Sequence, residues 1–298
     1  MSINKILTLA LIIPCFVACR PKPIDIEVPQ APPAITISSI AFDEHTVFVS
    51  AGYSINSCVG LNDTAASDSR TKSGIPREML VSGGLVTITE EGTLPDTLTE
   101  ISTGLYASRK LHLKQGVQYT LMVKDLTKNV AATAQTIFFA KPAVDNAEQK
   151  IEMEGADTIT KLHLQMSNVA QGDKYFVTYS TTAQVHNSLS TAIDKLPTIY
   201  NFSPKTLELL TGEDVVNGKL DKTISMKVNA NDTLVVQVAR IDNAYYQYLS
   251  AYKRSGFLIN QLTGEPINLP TNITTGFGFF SLCQSDKMVF VAGKRIAL

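Results

Sequence analysis

Tryptophan is absent from the 298 residues and cysteine occurs only four times. Beyond its first residues the chain also lacks any apolar run long enough to span a bilayer, which takes about 18 residues. Each shortage excludes something. Without such a run there is no membrane-spanning helix. Without tryptophan the best flat apolar face for stacking on sugars is missing, which weakens a carbohydrate-binding reading, although tyrosine can substitute. The cysteines, Cys15, Cys19, Cys58 and Cys283, form no Cys-x-x-Cys pair, so their spacing announces neither a zinc site nor a dithiol redox centre. The 26 Lys and Arg nearly balance 27 Asp and Glu, for a net charge of −1. That balance removes the electrostatic case, at the level of the whole chain, for a nucleic-acid or anionic-lipid partner.

Catalytic signatures are missing as well. There is no His-Glu-x-x-His zinc motif, no Gly-x-Ser-x-Gly nucleophile elbow and no phosphate-binding Gly-x-x-x-x-Gly-Lys. His45, His112, His163 and His186 are scattered, and His112 and His163 fall at polar positions of predicted strands. Asp43, Glu44 and His45 are adjacent, but on a strand their side chains alternate faces and do not converge on one ion. Glu90 and Glu91 read as a turn edge for the same reason. No metal, cofactor or catalytic residue is expected.

The N-terminus carries more information. One positive residue, Lys5, precedes an apolar run from Ile6 to Ala18, the size of a signal-peptide core and too short to span a bilayer. Ala18 is small and stands immediately before Cys19, as a lipobox requires, whereas Cys15 follows Pro14 and fails that test. Residues 1–18 therefore read as a lipoprotein signal peptide, with Cys19 the lipidated first residue of the mature chain. An ordinary secretory signal cut near Ala18 is the alternative. Two kinds of acyl attachment on one cysteine give stable anchoring. Arg20 after the cysteine favours the outer membrane; the first acids, Asp25 and Glu27, come late, which leaves open the cell surface or the periplasmic face. Residues 19–33, dense in proline, form an extended tether.

Period-two alternation dominates the chain beyond the tether and predicts a mainly β protein of two β-sandwich-like modules, residues 34–141 and 150–298. AITISSIA and TVFVSAGYS open the first, with Val47, Val49, Ala51 and Tyr53 on one face. From Ile55 to Glu78 the chain is polar and turn-rich, which predicts an exposed loop. GGLVTITEE, TLTEI, GLYASRK, GVQYTLMVKDL and VAATAQTIFFA are the next strands, and the pattern breaks around 141–149 at Pro142. The second module contains TITKLHLQMSNV, with Leu162, Leu164 and Met166 inward, then KYFVTYST, TISMKVNA and DTLVVQVARI. The stretch between His186 and Asp214 is mixed and assigns no element.

One helix is predicted over 242–256, with its body at 243–255. Asp242 or Asn243 caps its start, Gly256 ends it in the left-handed conformation, and Lys253 and Arg254 suit its C-terminal dipole. Tyr245, Tyr248, Leu249 and Tyr252 share one face, either as a stacking platform for a ligand or as a docking face on a sheet. Tyr246 points elsewhere and is a candidate ligand contact. Phe277, within Gly276-Phe277-Gly278-Phe279-Phe280, is another, as a pocket wall; core filling by the rings is the alternative. Cys58 and Cys283 are candidates for a disulfide or for separate buried thiols.

The lipobox followed by IDIEVPQAPPAITI, VSGGLVTITEEG with STGLYASRKLHLKQGVQYTLMVKD behind it, AYYQYLSAYKR after VVQVARI, and LPTNITTGFGFF occur in an order that resembles the Bacteroidota outer-membrane lipoproteins classed as domain of unknown function 4249. The resemblance implies a predominantly β protein whose first module is of the immunoglobulin or transthyretin type. It implies an accessory role beside a TonB-dependent receptor and supplies no catalytic residues. The loop at 55–78 departs from the commoner pattern. Four Asp-Thr pairs resemble the O-glycosylation signal of exported Bacteroidota proteins, at Thr64, Thr97, Thr158 and Thr233; turn-to-strand chemistry is the alternative. The expected function is thus a non-enzymatic outer-membrane lipoprotein, accessory to a TonB-dependent β-barrel receptor or presenting its ligand. The rivals are a structural or adhesive envelope protein and a hydrolase of envelope polymers.

Overall fold

Alternating apolar residues build the first strands, because successive side chains of a strand leave opposite faces. In the computed structural model, which describes residues 33–54, 76–154, 157–181, 203–226, 228, 232–256, 268–291 and 293–296, every second residue of Val47–Tyr53 is buried. The signal peptide, Cys19, the tether up to residue 32, Cys58, Thr64 and His186 lie outside the described residues. Those that are described fall in one compact unit.

Eight strands lead. They are β1 (Ile35–Ala41), β2 (Val47–Tyr53), β3 (Leu85–Glu90), β4 (Asp96–Thr97), β5 (Thr99–Ser102), β6 (Leu105–Ser108), β7 (Gln118–Asp125) and β8 (Val130–Phe139). A second series comprises β9 (Val144–Glu154), β10 (Asp157–Ser167), β11 (Lys174–Thr181), β12 (Leu207–Thr211), β13 (Lys219–Met226) and β14 (Leu234–Ile241), then helix α1 (Asn243–Ser255). The chain closes with β15 (Ile273–Thr274), β16 (Gly276–Phe279), β17 (Leu282–Cys283), β18 (Ser285–Val291) and β19 (Lys294–Ile296). The fold is mainly β, with two sandwiches. The first packs the sheet β16-β1-β2-β6-β5 on the sheet β15-β8-β7-β3-β4; the second packs β13-β10-β9 on β12-β11-β14-β18-β19.

The second expected module, 150–298, is not contiguous. Residues 273–283 return to the first sandwich, where β15 pairs with β8, β16 runs parallel to β1, and β17 pairs with the end of β8. Thr275, at φ 61°, carries the chain from one sheet to the other between β15 and β16. Glycine is required next to it, because a Cβ on Gly276 or Gly278 would overlap the carbonyl oxygens of Ile35 and Ile37 in β1. Phe280 then fills the first core, fully buried. The expected break at 141–149 is shorter than predicted, since β9 begins at Val144. Its alternation was obscured by Gln149, a polar residue facing inward beside Ala147, whose amide has no hydrogen-bond partner.

Strand register gives the first sandwich two poles. Pro33 lies beside the end of β2, where Ser54 N–H donates to the Ala34 carbonyl at 2.8 Å. The β7–β8 hairpin (Asp125 opposite Val130) and the start of β16 (Gly276 opposite Ile35) lie at the same pole. We call it the proximal pole. The opposite, junction pole holds the ends of β1, β8 and β16, from which β8 leads across residues 140–143 into the second sandwich.

Helix α1 spans the expected residues. The Asp242 side chain accepts the Tyr245 N–H at 2.6 Å, and Lys253 and Arg254 occupy the last turn. Gly256, however, is right-handed at φ −79°, not left-handed. Its lack of a side chain answers a close approach, because a Cβ there would overlap the Pro204 ring. No helix among the described residues is long and apolar enough to cross a membrane.

Candidate functional site

At the junction pole the sequence-predicted tyrosine face meets the returning segment. Tyr245 and Leu249 are buried on the outer face of β11, β12 and β14 with Phe176, Leu207, Ala239 and Ile241. The rings of Tyr245 and Tyr248 stack on each other at 5.9 Å and both meet Phe279, at 4.8 and 5.3 Å between centroids. The tyrosine stripe is therefore a docking face, and burial raises the Tyr248 and Tyr252 phenols above their ordinary range. Tyr246 sits at the margin of this cluster with the Lys174 ammonium 5.1 Å from its ring centroid. Its phenol is also raised, by burial first and then by the charge of Glu213.

Polar contacts clamp the same junction. Lys141 pairs with buried Asp286 at 2.6 Å, Gln284 N–H donates to the Phe139 carbonyl at 2.8 Å, and Thr136 Oγ1 donates to Asp242 at 3.4 Å. The helix cap thereby also touches β8. The Arg240 guanidinium lies 5.3 Å from the Phe139 ring centroid, while its Nη2 reaches Asp173 at 2.5 Å. Asp173 accepts in addition from Tyr175 OH at 3.1 Å and from Ala170 N–H at 3.0 Å. Burial, then the adjacent Asp173 charge, drives the Tyr175 phenol upward. Of the residues in this clamp only Asp242 was singled out by sequence reasoning, because the contacts of Lys141, Thr136 and Arg240 are to residues remote in the chain.

The returning segment is pinned in three further places. Ser39 Oγ donates to the Ser281 carbonyl and accepts the Ser281 N–H, both at 2.9 Å. The Asn272 amide donates to the Phe280 and Gln135 carbonyls and accepts the Phe280 N–H. Thr275 Oγ1 donates to the Ala131 carbonyl at 3.0 Å. Cys283 is free and buried; the enclosure pushes its thiol up to about 12 against a weaker opposing contact with Ser281. The disulfide expected as one alternative is not formed at Cys283.

At the proximal pole Asp125 is buried beneath the β7–β8 hairpin. It accepts from the Tyr53 hydroxyl, from Thr127 N–H at 2.6 Å and from Lys128 N–H at 3.0 Å. The Lys128 ammonium lies 3.5 Å from the Tyr53 ring centroid. Burial tends to raise the Asp125 carboxyl, but the Tyr53 and turn hydrogen bonds together hold it below its ordinary value. Phe277 faces outward here, 54 % exposed, so it forms no pocket wall with the core-filling Phe279 and Phe280.

The remaining sequence candidates are dispersed. Asp43 closes the β1–β2 turn through the His45 and Thr46 amides. His45 meets the His112 ring edge-on at 4.8 Å, and His112 lies between strands, not on one as expected. His163 lies on the outer face of β10, 3.4 Å from Asp221. Among the described residues no group of three or more His, Cys, Asp or Glu is arranged to hold a metal. Thr97 is exposed on β4 at a sheet edge, Thr158 is the second residue of β10 and Thr233, half-buried, precedes β14.

Fold and site together define a mainly β, two-sandwich protein whose halves are clamped by a returning C-terminal segment. The chain belongs to the family described as Domain of unknown function (DUF4249), which it matches over residues 22–288. No curated protein matches it. Among solved structures, a cytokine receptor complex aligns at 10% identity over 71% of this chain and 86% of that chain, with a TM-score of 0.27. A two fibronectin type-III domain segment from chicken tenascin aligns at 10% identity over 71% and 93%, with a TM-score of 0.22. The sandwich assignment rests on the strand pairing itself.

Proposed function

We propose that this chain is a non-enzymatic Bacteroidota lipoprotein, held at the outer membrane by acyl groups on Cys19, that serves as an accessory or ligand-presenting partner of a TonB-dependent β-barrel receptor. What carries the non-enzymatic part is how the buried reactive groups are engaged. Asp125 is held by Tyr53 and turn amides, Asp173 by Arg240 and Tyr175, Asp286 by Lys141, and the Cys283 thiol is enclosed. Groups held this way brace a surface of fixed shape. The junction clamp supports a presenting role, since a body with one fixed shape meets a partner at low ordering cost.

The anchor and the receptor are tested together. Purification of the full-length protein from detergent-solubilised outer membranes is expected to bring down a large β-barrel. Cys19→Ala is expected to abolish acyl-lipid labelling and release the chain from membranes. Recovery of the lipoprotein alone in repeated purifications removes the receptor, and undiminished labelling of the Cys19→Ala chain removes the anchor.

A further inference from the structure

The proximal pole combines three features, of which the proposed function uses only the anchor. The first is where the described chain starts: Pro33 stands at this pole, and the 32 residues before it contain the apolar run and Cys19. The second is an apolar residue at a hairpin tip. Leu126, 60 % exposed, projects between Lys124 and Lys128 in the β7–β8 hairpin, although turns ordinarily favour polar residues. The third is Phe277, 54 % exposed on the edge strand β16. Thr275 ties the start of that strand to Ala131, which lies opposite Lys124, so hairpin and edge strand belong to one surface. Asp125, the acid nearest the tip, is buried below it and bonded to Tyr53, so its charge is withdrawn from the surface. Arg77 and Glu78, exposed in the turn that leads to Leu80 beside Gly52, offset each other.

We infer that this pole is a lipid-contacting surface, with Leu126 and Phe277 dipping into the headgroup boundary of the membrane and Lys124 and Lys128 at the level of its phosphates. The inference rests on the anchoring at Cys19. Apolar side chains flanked by lysine suit that boundary, because the hydrocarbon tip leaves water while the ammonium groups snorkel to the headgroups. Each contact is weak alone. Next to a covalent anchor, the local lipid concentration makes such contacts orient the body. The pole lies at the far end of the first sandwich from the junction, so lipid contact there directs the second sandwich away from the bilayer.

The test uses the full-length lipidated protein in vesicles of phosphatidylethanolamine with about a quarter phosphatidylglycerol. An environment-sensitive fluorophore is attached at Leu126→Cys, Phe277→Cys or, as a control in the second sandwich, Val216→Cys, each with Cys58→Ser; enclosed Cys283 stays unlabelled. Expected are blue-shifted emission and quenching by lipids spin-labelled high on the acyl chain at positions 126 and 277, and neither at 216. Water-like emission at all three positions in protein that remains on the vesicles overturns the inference while leaving the anchor intact. Shielding of 126 and 277 only in outer membranes containing a copurifying β-barrel, and not in pure lipid, assigns the pole to protein and also overturns it. Protein that carries no acyl mass and leaves the vesicles refutes the anchor, and the inference with it.

Discussion

Replacing Phe280 by Ala tests the return of the C-terminal segment most directly. Phe280 is fully buried in the first core although it stands 38 residues after Asp242, the cap of the second sandwich's helix. Truncating a fully buried Phe costs about 3–5 kcal/mol, the sum of lost transfer free energy and the cavity left behind. For a unit of this size that corresponds to roughly 6–20 °C in Tm. With no tryptophan in the chain, circular dichroism tracks the global loss, and hydrogen–deuterium exchange with mass spectrometry locates it. Peptides covering β1 and β8 are expected to lose protection in Phe280→Ala. Phe290→Ala, in the second core, is expected to act first on β14 and β18. A cost below about 1 kcal/mol, or exchange confined to the second sandwich, refutes the shared core.

Asp125→Asn is expected to destabilise the protein at neutral pH by about 1–3 kcal/mol, since it weakens hydrogen bonds to a buried charge. The Asp125 carboxyl is held below its ordinary 3.8, so its contribution is complete above that value and is lost as pH falls through the lower folded-state value. Urea titrations should show a stability loss below about pH 4 in the wild type that is diminished in the Asn variant; identical pH profiles contradict the assignment. Cys283 is expected to resist thiol reagents at pH 8 until the protein is unfolded, because its thiol lies near 12 and is enclosed. Peptide mapping checks this, and a Cys58–Cys283 linked peptide under non-reducing conditions contradicts the free thiol.

Strands with clean alternation were legible in the sequence. Val47 to Tyr53, Tyr119 to Val123 and Leu162 to Met166 all bury the predicted face. The start of β9 was not, because an inward Gln149 breaks the apolar pattern on which such reading depends. Helix α1 was readable from its cap and its tyrosine face, but Gly256 was misread, since steric contact with Pro204 leaves no trace in local sequence. The crossover at 273–283 was the largest miss. Its strands are two to four residues long, and the partners of Ser281 lie 242 residues away. The clamp formed by Arg240, Asp173, Lys141 and Asp286 was invisible for the same reason, and the outward face of Phe277 stems from β16 pairing with β1.

The crossover also sets an order of events during synthesis. A first sandwich made of β1 to β8 alone leaves its edge at β1 unpaired and lacks Phe280 and Leu282 from its core. Both arrive only after β9 to β14 and helix α1 have been made, and closing so long a loop slows folding. The earliest part to emerge is thus among the last to be completed, and in the interval its open strand edge is exposed to pairing with other chains.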